Sequence, residues 1–144
     1  MRRQLLVLAL CVPLTLGVIA PAVLGHQTKV VGGKYRVIVG FVREPAFTDE
    51  RNGLDLIVRR VEDNAPVEHL ERSLSAELIA PGGQGRRALR LRPQFGRPGY
   101  YTDDFILTRP GVYQIRVWGV IADVRFDETF ESHEVRPLSE LRFP

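Results

Sequence analysis

The chain of 144 residues has one cysteine, Cys11, one methionine, Met1, and one tryptophan, Trp118. A single cysteine excludes an internal disulfide framework. Cys11 falls in an apolar leader, so the domain that follows is expected to carry no thiol chemistry. The lone methionine argues against a Cu(I) site built on thioether sulfur. Lysine is scarce as well: beyond residue 25 only Lys29 and Lys34 occur, beside sixteen arginines. A charge surplus is also missing. The formal net charge of +3 includes Arg2 and Arg3, and without them 18 basic residues face 17 acidic ones. The signs alternate along the chain instead of gathering, which argues against the basic face that nucleic-acid binding needs. No amphipathic helical stripe, internal repeat or low-complexity tract is present.

What is present begins with Met1-Arg-Arg and an almost wholly apolar run from Leu5 to Leu24. This reads as a secretory signal over residues 1–25, forming a helix detached from the domain. Val23-Leu24-Gly25 supports cleavage before His26, and Ala20-Pro21-Ala22 offers cleavage before Val23. A retained membrane anchor is the alternative, weakened by Pro13, Gly17 and Pro21. A lipid attachment at Cys11 is disfavoured because leucine precedes it.

Beyond residue 33, short β-branched and alternating runs recur with a turn signal between them. They cover 34–42, 54–61, 74–79, 88–91, 100–107, 111–121 and 124–131. Residues 26–33 read as a flexible lead-in, and 136–144 as an irregular tail. The segment Arg109 to Ile121 is the organising one. Pro110-Gly111 turns the chain into a strand with Tyr113, Ile115 and Val117 on one face and Val112, Gln114, Arg116 and Trp118 on the other. A tyrosine just after a turn suggests a tyrosine corner. Tyr113, Ile115, Val117, Phe41, Leu56, Phe105 and Phe126 are the expected core. The economical fold is an all-β, immunoglobulin-like antiparallel β-sandwich of about seven strands over residues 26–135. A small closed barrel is the alternative.

Gly40-Phe-Val-Arg-Glu-Pro-Ala46, Asn52-Gly-Leu-Asp-Leu56, Phe95-Gly-Arg-Pro-Gly-Tyr-Tyr-Thr102 and Thr108-Arg-Pro-Gly-Val-Tyr113 resemble small bacterial extracytoplasmic sandwich domains. The nearest are the YtkA-like and FixH-like domains and, more distantly, the CopC-like copper-resistance proteins. The resemblance implies an exported protein, periplasmic or at the cell surface, with copper handling or assembly of membrane complexes as associated roles. Its motifs are turn glycines and core tyrosines, which specify fold more than activity.

A CopC-like Cu(II) site uses an N-terminal histidine, through amine and imidazole, with a carboxylate and a second histidine spaced Asp-x-His. Cleavage after Gly25 exposes His26, and Glu131-Ser132-His133 supplies a Glu-x-His. Those three residues, His26, Glu131 and His133, are the candidate metal ligands, and copper is the one cofactor suggested. Two departures stand out: glutamate replaces aspartate, and the motif follows the final strand. No catalytic set is found. His69 sits in a polar connection, and none of Ser73, Ser75, Ser132 and Ser139 lies in a nucleophile elbow. Asp103-Asp104 and Asp127-Glu128 point to opposite faces if they lie on strands. Asp49, Glu50, Asp55 and Asp63 lack the spacing of a calcium loop. Gly82, Gly83 and Gly85 precede a strand, so they form no phosphate cradle. The expected function is a non-enzymatic exported binding or accessory module with a protein partner, no nucleic acid, and membrane association only through an uncleaved leader. The alternative is a periplasmic Cu(II)-binding protein.

Overall fold

A computed structural model describes residues 25–144. The leader helix expected over residues 1–25 lies outside the described residues except for Gly25. Among the described residues ten strands form: β1 (His26–Val31), β2 (Tyr35–Phe41), β3 (Arg51–Arg60), β4 (Leu74–Ile79), β5 (Arg86–Leu89), β6 (Arg92–Pro93), β7 (Tyr100–Thr102), β8 (Asp104–Ile106), β9 (Gly111–Ile121) and β10 (Val124–Val135). One sheet runs β1-β2-β3-β7-β6, with β8 also paired to β3, and the other runs β10-β9-β4-β5. Every ladder is antiparallel. The chain is the immunoglobulin-like sandwich that the alternation predicts.

The strand count differs from seven for three physical reasons. Residues 26–31 are no loose lead-in. They pair with β2 over their whole length, from His26 opposite Gly40 to Val31 opposite Tyr35. Gly32 and Gly33, both at positive φ, make the turn between them, a conformation glycine adopts without a Cβ clash. The run 100–107 is broken at Asp103 into two short strands that pair with different stretches of β3. A two-residue strand, β6, adds to β7. The last strand also extends past residue 131 to Val135.

All seven expected core side chains are buried, from 0% exposed for Phe41, Leu56 and Val117 to 9% for Phe126. Each contributes roughly 1.5–3 kcal/mol by leaving water. Phe41 makes edge-on contacts with Phe105 and Tyr113, at 5.7 and 6.3 Å between ring centres. The tyrosine corner forms: Tyr113 Oη donates to Arg109 O at 2.9 Å and accepts from Arg109 N at 3.2 Å. Tyr101 does the same for the β3–β4 connection, donating to Val67 O at 2.6 Å and accepting from Leu70 N at 3.2 Å. Buried hydroxyls need such partners, so each tyrosine fixes a loop as well as filling the core.

Candidate functional site

The candidate ligands lie along one edge of the sandwich, where β1 runs beside β10. Side chains bridge the two strands. Lys29 Nζ reaches Glu128 at 2.7 Å and lies over the Phe130 ring. Gln27 Oε1 accepts from Glu131 N at 2.8 Å. Gln27 follows His26 directly, so β1 and the Glu131–His133 segment are held side by side.

His26 faces outward from its sheet. Its Nε2 lies 3.1 Å from Asp55 Oδ2, and Asp55 Oδ1 accepts from Gln94 Nε2 at 2.8 Å. The sheet register explains the reach. His26 is opposite Gly40, and Gly40 is opposite Asp55. Histidine and aspartate are thus two strands apart, about 10 Å between backbones at the usual strand spacing. Only a residue without a side chain on the middle strand lets the ring lie across. A Cβ on Gly40 would meet the His26 ring at 2.7 Å and Gly25 O at 2.6 Å.

Glu131 and His133 are both exposed. They lie inside β10 and not after the last strand, which corrects that expectation. The ladder shifts between Glu131 and Glu134. There Ser132 and His133 together oppose Tyr113, a β-bulge. The Ser132 hydroxyl accepts from Tyr113 N at 3.0 Å and donates to His133 O at 2.6 Å, doing the work of the lost ladder bonds.

Glu44 completes the corner, and sequence reasoning missed it. Its loop is clamped at one end by Asn52, whose amide bonds both Arg43 N and Arg43 O at 3.0 Å. At the other end Ala46 and Thr48 exchange backbone hydrogen bonds with Arg136. The Glu44 side chain lies beside Gly25, where an added Cβ would be 3.5 Å from Glu44 Cγ. Burial pushes the Glu44 carboxyl above the ordinary carboxylate range, while the Phe41 backbone and the nearby charges of His133 and His26 act the other way. One oxygen, Oε1, is buried without a hydrogen-bond partner. Both candidate histidines thus act on one half-buried carboxylate. As placed, however, His26 is taken by Asp55. Among the described residues no three His, Cys, Asp or Glu side chains gather closely enough to hold a metal.

Four other acidic residues noted in the sequence form structural pairs. Asp127 binds Arg116 at 2.5 Å, whereas its neighbour Glu128 binds Lys29 on the opposite face. Asp103 accepts from Arg90 N at 3.0 Å while Asp104 pairs with Arg92 and Arg51. His69 is exposed, at positive φ, ahead of a short 3-10 turn, Leu70–Arg72.

No family model and no curated protein matches the sequence. Among solved structures, the chain is similar to a DUF4426 family protein from Pseudomonas aeruginosa PAO1. The TM-score is 0.55 at 14% identity, covering 78% of this chain and 96% of that one. That likeness shows a shared small β-sandwich fold.

Proposed function

We propose that the protein is a non-enzymatic exported β-sandwich that acts by binding, in the periplasm or at the cell surface. The observation that carries this reading is the junction at residue 25. A signal-like leader runs directly into β1, and His26 is already seated in the sheet through Asp55. Cleavage at Gly25 removes the leader without cutting into a strand. The cross-strand pairing of the acidic side chains supports binding over chemistry, since those pairs are occupied with arginine or lysine. The resemblance to YtkA-like and FixH-like domains points the same way. Intact-mass measurement on protein from an osmotic-shock fraction tests this. The expected mass is that of a chain starting at His26 or Val23, with a stoichiometric partner or ligand retained under native conditions. An uncleaved chain confined to the cytosol overturns it.

A second reading, Cu(II) binding as in CopC-like proteins, is favoured by the corner itself. Glu44 lies within electrostatic reach of both His26 and His133, and Gly25, whose removal would create the His26 α-amine, lies beside it. The side chains alone make no three-ligand group. The amine released by cleavage would be the additional nitrogen donor, with His26, His133 and Glu131 around it. Imidazole and amine nitrogens suit Cu(II). Titration of mature protein with Cu(II), followed by electron paramagnetic resonance, should give one tight nitrogen-ligated site. A chain retaining Gly25, and H26A with H133A, should lose it. Binding that survives the double variant sinks the copper site.

A further inference from the structure

On the side of the sandwich away from β1 and β10, the sheets leave a groove of about 290 Å³ between the β4–β5 hairpin and the segment 105–113. Its floor is apolar: Leu78, Phe105, Leu107 and Tyr113 line it, and all four are core residues. Its rim carries three guanidinium groups, Arg86, Arg87 and Arg109. Their states differ. Arg86 is paired with Glu77 at 2.8 Å. Arg87 donates to Asp104 O at 3.0 Å and lies 3.8 Å from Asp103. Arg109 has only a neutral partner, Gln84 Oε1 at 3.0 Å, and no carboxylate in ion-pair range among the described residues.

We propose that this groove binds a single-chain aliphatic carboxylate, with its tail on the apolar floor and its carboxylate on Arg109. One unneutralised guanidinium selects a monoanion. The planar fork of arginine matches a carboxylate through two parallel hydrogen bonds. A lining shared between apolar side chains and placed polar groups suits a small amphiphilic ligand, and this volume sits near the lower end of the usual range, about 300 Å³. A short unbranched tail therefore suits it. Arg109 is well held for the role. Its backbone N–H and C=O are both bonded by Tyr113 Oη, so the tyrosine corner that fixes the fold also fixes the root of the anion-binding side chain. The proposal gives the binding reading a ligand class and rests on that reading, but it uses none of the residues at the His26 corner.

The test is calorimetric titration of the purified domain with sodium butanoate, hexanoate and octanoate, with nuclear magnetic resonance to locate the perturbed residues. Affinity should rise with each methylene, by up to about fourfold at 0.8 kcal/mol per buried group. Shifts should centre on Leu78, Phe105 and Arg109. R109Q should weaken octanoate binding about tenfold, the lower end for a hydrogen bond to a charged group at an exposed site, and R109K should restore part of it. R125Q, on a different face, should leave it unchanged. Octan-1-ol binding as tightly as octanoate, unchanged affinity in R109Q, or no titratable binding would each overturn the proposal. The export reading fails separately, on the mass of the mature chain.

Discussion

The two lateral sides of the sandwich solve the same problem differently. Two twisted sheets leave a gap along each edge. Beside β1 and β10 the gap is closed by Lys29–Glu128, by Gln27 on Glu131 N and by Lys34–Asp123 at 2.6 Å, with Phe130 sealed beneath at 0% exposure. Beside β5 and β8 the bridges leave an opening. Arg87 reaches Asp104 O and Arg90 N reaches Asp103, and a groove remains between them and the β9 corner. The first edge covers its core with side chains, and the second leaves a recess whose buried floor borders the groove. The exposed lysine bridges add little energy each. The Lys29 bridge ties β1, an edge strand, to β10, and the Lys34 bridge ties the turn after β1 to the β9–β10 turn.

The largest effect that would break this comparison is a matched pair of core truncations. F130A and F105A remove the same side chain from the closed and the open side. Both belong to the class that costs about 3–5 kcal/mol. F130A should fall at the upper end, because it leaves a sealed cavity. F105A should fall at the lower end, because Phe105 lines the groove and the space left is continuous with solvent. Urea denaturation of both variants measures this, and equal or reversed costs would show that the two sides are not different in kind.

A smaller effect tests how β1 is held. In G40A the new methyl meets Gly25 O and the His26 ring at under 3 Å, and overpacking of this sort costs about 1–3 kcal/mol. The His26–Asp55 contact should break, and the β1 amides should exchange hydrogen faster while β4 and β5 are unaffected. Unchanged β1 protection would show that His26 does not anchor the strand.

The smallest effect concerns the one imperfect spot on the closed side, Glu44. Its carboxyl is raised above the ordinary value of 4.5 by burial. The sign follows from linkage. Below that value both folded and unfolded chains hold the proton. As pH rises the unfolded glutamate ionises first, so the contribution of Glu44 to stability is lost as pH climbs through the raised folded value. E44Q should therefore gain melting temperature relative to the parent between acidic and neutral pH. A difference in melting temperature that stays flat over that range removes the case for a strained carboxylate at the corner.

Much of this was legible in the chain. Alternation in β3, in β9 and in β10 up to Glu131 gives the inner faces, because successive residues on a strand must point to opposite sides. Pro110-Gly111 followed by Tyr113 gives the corner. β1 reads as a lead-in because its short run with Lys29 inside masks the period, although Gly32-Gly33 after it is a hairpin signal. The Ser132–His133 bulge and the break at Asp103 were not legible, because a bulge depends on what the neighbouring strand can satisfy. The candidate histidines could be named from the sequence. That a half-buried Glu44 lies near them, and that His26 is held by Asp55 across Gly40, could not.

The sequence by itself therefore determined the class of fold, the core face of each long strand and the tyrosine that locks the β9 corner. These follow from local periodicity and turn chemistry, which act within a few residues. The tertiary structure alone decided which edges meet. Gln27 finds Glu131 across 104 positions, Lys29 finds Glu128 across 99, and Arg109 finds Gln84 but, among the described residues, no carboxylate. Such pairings depend on sheet order and strand register, which are set by the mutual burial of two whole faces and by no short segment of the chain.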